Sequence, residues 1–376
     1  MNSLIKKITV ILFTVSIFIV PFTMILTEDK DINYIENKIL QKFPRFNYEN
    51  IKSGRFMSQF NEYTSDQFPL RNTFLYMKNE LNYALGKREF RDVYITSNGR
   101  LLDKYTENKD YIRKNIEYIN KSLSSIKDKS TLFIVPNSIA VYNDELKDFY
   151  LRDNQEDTIN YISSISNIKT YSPLNALKLH RDDYIYFNTD HHWTQLGAKI
   201  SFEDFYGDSI NEDYNMISNE FYGSYYSKAM LKRVKPDKIY SYPKLGGFYN
   251  VLDGEERNNL YNSSKLEGKN KYQYFLNGDP SEGFVKGIGK GSILVVKDSF
   301  AHSFIPFLTQ KYENIHIFDP RYSNMSLLDY TESKPEIDEV LVLLSISTLN
   351  STILEKRWLT TITFFLHINS LFTFIF

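Results

Sequence analysis

Ser292-Ile293-Leu294-Val295-Val296-Lys297-Asp298-Ser299-Phe300 reads as a buried strand that breaks into a helix. Five consecutive strand positions end in Lys-Asp-Ser, and a helix-like segment runs on from there to about Gln310. An apolar run of that length, not alternating with polar residues, belongs to a strand covered on both faces, as in parallel α/β sheets. A serine at such a strand-to-helix turn stands above the carboxyl edge of the sheet, where open α/β folds bind ligands. It also lies beside backbone N–H groups that the first helical turn leaves unpaired, which is the raw material of an oxyanion site.

The rest of the chain fits the same architecture. Ile112, Ile116, Ile119, Leu123 and Ile126 recur at helical spacing, which predicts an amphipathic helix over 107–127. Thr131-Leu132-Phe133-Ile134-Val135-Pro136 follows as a buried strand. Residues 156–167 and 194–206 read as helices, and 184–188, 314–318 and 339–346 as strands. Residues 93–102 read as a strand, a turn at Asn98-Gly99 and a short return. Strands that alternate with helices argue for an α/β fold with a mostly parallel sheet, covered on both faces. Residues 207–290, rich in Tyr, Asn, Gly and Ser, are the least regular part.

The chain has 376 residues, 42% of them hydrophobic and 24% charged, so it can bury a sizeable core. Its formal net charge of -1 supplies no general field toward nucleic acid or anionic surfaces. It has no cysteine, which excludes disulfides, thiolate catalysis and cysteine-ligated metals. Lys6-Lys7 precede an apolar run from Ile8 to Leu26, about 19 residues and long enough to span a bilayer. Lysines before the run and none within it place the N-terminus in the cytoplasm and the body of the protein outside. Phe22-Thr23-Met24-Ile25-Leu26-Thr27 offers no small-residue cleavage pattern, so residues 1–27 read as an uncleaved anchor, with a cleaved signal peptide as the rival. Residues 28–80 read as a polar, partly helical connector, with Pro69 opening a helix, and 81–350 as the main domain. The apolar tail 351–376 fits a second membrane segment, a buried helix or a foreign ending equally well.

A hydroxyl nucleophile needs a base. Thr189-Asp190-His191-His192-Trp193-Thr194 supplies one, with Asp190 two residues before His192 and on the same side of an extended segment. From there the carboxylate orients the imidazole and stabilises its charged form, which completes a Ser299, His192, Asp190 triad. Each residue also has a plainer reading. Asp298-Ser299 is a good helix cap. Asp190-His191-His192 could ligate a divalent ion, as in a metal phosphoesterase, although acidic strand ends to complete such a site are few. His302, one turn past Ser299, is an alternative base or a packing residue, and Trp193 is a sugar-stacking or a packing residue.

The sequence Asp190-His191-His192-Trp193-Thr194, with Gly197-Ala198 after it, resembles the motif for which the bacterial DHHW protein family is named. Tyr274-Phe275-Leu276-Asn277-Gly278, Lys297-Asp298-Ser299-Phe300-Ala301, Asp319-Pro320-Arg321-Tyr322 and Asp66-Gln67-Phe68-Pro69-Leu70-Arg71 extend that resemblance over roughly residues 30 to 350. The family is similar to the SGNH-hydrolase-like proteins that O-acetylate alginate outside the cytoplasm, in which the Asp-x-His element precedes the serine, as here. The resemblance implies a three-layer α/β/α fold, with Ser299 as acyl-accepting nucleophile, His192 as base and Asp190 as its orienter. It implies acetyl transfer to polysaccharide hydroxyls, with a membrane-bound acyltransferase as acetyl donor and no cofactor. A carbohydrate esterase of the same fold and a non-catalytic polysaccharide-binding module are the alternatives. Asn277 and Gly278 are candidate oxyanion donors, and Arg321 is a candidate for a substrate carboxylate or carbonyl, or else for a structural ion pair. His191 has no assigned role beyond supporting its neighbours.

Overall fold

The computed structural model describes residues 3–36, 38–146 and 153–350. The apolar tail read at 351–376 lies outside the described residues. The chain divides into two compact units, one of Met1–Arg91 with Tyr226–Lys235, the other of Asp92–Tyr225 with Pro236–Phe376.

The first unit is helical. Helix α1, Ser3–Leu26, is long and apolar enough to cross a membrane, and none of its hydrophobic window is buried. Helices α2, Arg55–Asp66, and α3, Arg71–Ala84, follow. Pro69 does not open α3. Leu70 stands between them in the left-handed region at φ 57°, and the helix begins at Arg71. Arg71 Nε reaches Glu36 Oε2 at 2.8 Å, and buried Asp66 accepts from Lys38 Nζ at 2.7 Å and from Gln41 N at 3.0 Å. Asp66 and Arg71 therefore tie Glu36, Lys38 and Gln41 to the helices.

The second unit is built on an eight-stranded sheet. In chain order its strands are β1 (Ser130–Val135), β2 (Lys169–Tyr171), β3 (Asn250–Leu252), β4 (Glu255–Arg257), β5 (Glu282–Lys286), β6 (Ser292–Lys297), β7 (Asn314–Phe318) and β8 (Glu339–Ser345). They lie in the spatial order β4-β3-β5-β7-β6-β8-β1-β2. The five strands from β7 to β2 are parallel, and β5, β3 and β4 add an antiparallel edge. The central strands are apolar at successive positions because both faces are covered. Ile293 and Val295 of β6, Leu341 and Leu343 of β8, and Phe133 and Val135 of β1 enter one core. Their sequence neighbours Leu294 and Val296, Val340, Val342 and Leu344, and Leu132 and Ile134 enter the other.

Helices α4 (Lys109–Ser122) and α5 (Gln155–Ile165) cover the second core through Ile112, Ile116, Ile119 and Ile162. Helix α6 (Gln195–Tyr206), with Phe304, Phe307 and Leu308, covers the first through Ala198 and Phe202. This is the expected α/β/α sandwich.

Two local expectations are corrected. Residues 184–188 form no strand. The chain doubles back there, Phe187 N bonding to His192 O (3.3 Å) and Thr194 N to Ile185 O (2.9 Å), with a single bridge between Tyr186 and Trp193. No continuous α-helix follows Ser299 either. A 3₁₀ turn spans Ser299–Ser303 and a short α-helix Ile305–Leu308. Pro306 has no N–H to give to a residue 302 carbonyl, so the helix restarts with the proline in its first turn.

Candidate active site

Strand β6 delivers Ser299 to the carboxyl edge of the sheet. Asp298 caps the turn. One of its oxygens accepts from Phe300 N (3.0 Å), and the other accepts from Ser345 N (2.8 Å) and Thr348 Oγ1 (2.7 Å) at the end of β8. The cap is therefore Asp298, and the Ser299 hydroxyl is left for other chemistry. The Phe300 N–H is spent on that cap, so it is not one of the free amides that the strand-to-helix turn was expected to offer.

The Thr189–Trp193 loop stands opposite. Its shape is set by Asp237, a buried residue that the sequence reading passed over. One Asp237 oxygen accepts from Asn188 N (2.8 Å) and Tyr184 Oη (2.5 Å), the other from Thr189 N (2.7 Å) and Thr189 Oγ1 (2.6 Å). Gly223 closes the loop from another side. A Cβ at 223 would lie 2.2 Å from Asp190 Cβ, so only glycine lets the chain pass and bring Ser224 N to Asp190 Oδ2 at 2.7 Å.

The other Asp190 oxygen accepts from His192 Nδ1 at 2.6 Å and from His192 N at 3.1 Å. His192 Nε2 lies 2.8 Å from Ser299 Oγ. The three side chains thus form one hydrogen-bonded line, carboxylate to imidazole to hydroxyl, although 107 residues separate His192 from Ser299. With Nδ1–H donating to Asp190, the neutral imidazole presents a lone pair at Nε2 to the serine.

The electrostatics favour a neutral ring. Burial and the adjacent His191 pull the His192 imidazole down to about 4, so it is neutral at ordinary pH. Burial works against the Asp190 charge, but the two imidazoles together hold its carboxyl well below the usual range. His191 is pushed up, burial being outweighed by Asp190, whose Oδ1 lies 3.5 Å from its Nδ1. The same Nδ1 is 2.7 Å from Ser224 Oγ.

The family model described as DHHW protein matches residues 86–318. The chain belongs to the DHHW family. Among solved structures, it is similar to a DHHW family protein from Eubacterium siraeum, at 21% identity and TM-score 0.58, over 69% of this chain and 91% of that one. It is similar to Bacillus cereus PatB1 with a sulfonyl adduct, at 18% identity and TM-score 0.58, over 70% of this chain and 97% of that one. The O-acetyltransferase domain of Pseudomonas putida AlgJ aligns at 12% identity and TM-score 0.44, over 69% of this chain and 92% of that one. No curated protein sequence matches the chain.

The remaining residues of the DHHW motif serve the loop. Trp193 is fully buried and donates from Nε1 to Phe300 O (2.9 Å), so it locks the Thr189–Trp193 loop to the Ser299 turn and is not a sugar platform. Thr194 caps α6 through Gly197 N (3.3 Å). His302 is buried away from Ser299 chemistry, with Nε2 3.0 Å from Lys297 Nζ. Arg321 grips Asp319 through Nε and an Nη nitrogen (2.9 and 2.7 Å), and Asp319 also receives Lys297 Nζ at 2.8 Å. Its guanidinium is thus committed to an ion pair.

Asn277 and Gly278 end the 3₁₀ segment Lys271–Asn277, whose Tyr272 Oη meets Ser303 Oγ at 3.0 Å. The Asn277 amide is engaged by Asn262 Nδ2 at 2.5 Å. Leu276, Asn277 and Gly278 all have positive φ (55°, 55° and 119°), which costs Leu276 and Asn277 and is free for the glycine. Asp190, His191 and His192 place three donors within 4.8 Å of one another, near enough to share a metal ion. His192 has one nitrogen on Asp190 and the other on Ser299, so ligating an ion through this ring would break that hydrogen-bonded line.

Proposed function

We propose that this DHHW protein is an O-acyltransferase that carries an acetyl group on Ser299 and delivers it to a polysaccharide hydroxyl. The observation that carries the reading is the Asp190–His192–Ser299 hydrogen-bond line at 2.6 and 2.8 Å. His192 Nε2 takes the Ser299 proton as Oγ attacks the donor carbonyl. The leaving group then departs with that proton, which leaves an acyl ester on Ser299. In the second half, His192 takes the proton of a glycan hydroxyl, the new oxygen attacks the ester, and Ser299 regains the proton. A sulfonyl adduct on PatB1, a protein of the same fold, is in keeping with a nucleophile of this kind. Of the other sequence candidates, Gly278 is proposed as an oxyanion donor, and Arg321 as the residue that holds Asp319.

Helix α1 is proposed as the anchor that keeps the domain at the outer face of a membrane, where a membrane-bound acyltransferase would supply acetyl groups. Intact mass spectrometry after brief exposure to an activated acetyl ester tests the first half-reaction. One acetyl group is gained by the wild type and none by Ser299→Ala or His192→Ala. A folded wild type that gains nothing would count against the reading. Acylated protein is then offered glycan. Transfer to glycan is the expected outcome, and release of free acetate alone would make the protein an esterase.

A further inference from the structure

The ring of Tyr272 lies against the face of the His192 imidazole, with centroids 3.7 Å apart and planes 8° from parallel. The His191 ring is also 3.7 Å from that imidazole, tilted by 38°. Two rings cannot occupy one face at that distance, so His192 is held between them, phenol on one side and imidazole on the other. Tyr272 is itself fixed. Its hydroxyl meets Ser303 Oγ at 3.0 Å, it is edge-on to Phe187 and Phe275, and it is 5% exposed. Nothing in the reaction above uses it.

We propose that Tyr272 is a positioning residue that stabilises the His192 imidazolium, the charged form created each time the base accepts a proton, through the electron-rich face of its ring. This rests on the acyl-transfer reading for its place in a reaction but not for its effect on His192. A stacked aromatic face attracts a cation, more strongly where water is excluded, and it also keeps the imidazole from rotating off the Asp190–Ser299 line. The other groups that bear on the His192 charge are Asp190 at Nδ1, His191 across the ring, Asp298 beside Ser299, and His302, whose ring lies 6.1 Å from that of Tyr272. Phe300 approaches at 5.1 Å, tilted by 54°, and offers no parallel face. Among the described residues, Tyr272 is thus the one neutral ring stacked on the base. It offsets in part the burial and the His191 charge that disfavour the imidazolium.

The test keeps the ring's shape and changes its electrons. In the full-length chain in detergent, Tyr272→Phe keeps the face and removes only the hydroxyl, while replacement by a trifluorinated phenylalanine keeps the fit and drains the face. Two readouts are taken, the rate of Ser299 acylation by an activated ester and the charged fraction of His192 at mildly acidic pH by NMR of the imidazole. Tyr272→Phe is expected to match the wild type within about twofold, and the fluorinated ring to lower both readouts by roughly two- to fivefold. Equal values for the two rings would overturn the proposal and leave Tyr272 as packing. A wild type that never acylates would sink the acyl-transfer reading, and the charged fraction would still decide the role of Tyr272.

Discussion

His192 is expected from its residue type to gain basicity through about pH 6.5. Its surroundings move that inflection down, because burial and His191 bring it to about 4. A base must be neutral to accept a proton, so acylation of Ser299 is expected to be nearly flat from neutral pH down to about 5 and to fall as pH approaches 4. A rate profile with an activated ester checks this, and an inflection near 6.5 would contradict it. His191 is one of the two causes of the depression. His191→Gln removes its charge, so the imidazolium of His192 becomes easier to form and the acid limb moves to higher pH. An unchanged or lower limb would mean that His191 carries no charge beside the base.

At the scale of the element, the Thr189–Trp193 loop and the Ser299 turn are held by groups outside the Asp190–His192–Ser299 line. Gly223→Ala places a methyl group where the Asp190 side chain stands, and either the 222–224 segment or Asp190 must move. Loss of the Ser224 N–H bond frees the carboxylate, so acylation is expected to fall by at least tenfold with the fold retained, read as rate beside circular dichroism. Lys297 sits at the end of β6, fully buried, with Asp319 as its ion-pair partner and His302 beside its ammonium. Burial lowers its pKa and Asp319 opposes that. Lys297→Met leaves Asp319 to Arg321 and a buried imidazole without its donor. It is expected to cost about 3 kcal/mol, checked by denaturant unfolding.

For the whole molecule, α1 has the length and apolarity of a membrane span. The full chain is expected to stay with membranes through an alkaline carbonate wash, and a chain beginning after Leu26 to be released while keeping Ser299 acylation. Release of the full chain would favour a cleaved signal in place of an anchor.

The sequence by itself determined the layers. Val295 and Val296 of β6, the runs in β1 and β8, and the isoleucines of α4 carry their burial in local periodicity, because backbone geometry fixes which face each residue enters. It also singled out Ser299, His192 and Asp190, which the fold brings into one hydrogen-bonded line, since a hydroxyl, an imidazole and a carboxylate are distinct residue types at a recognisable spacing. The register of the loops was decided only by the tertiary structure. Nothing near Asp190 announces that Gly223 and Ser224 will close on it, or that Asp237 will hold Thr189, since these contacts span 33 to 48 residues. The burial that neutralises His192 and the ring of Tyr272 against it are likewise products of packing. A side chain's charge and the face it offers depend on neighbours that only the folded chain brings together.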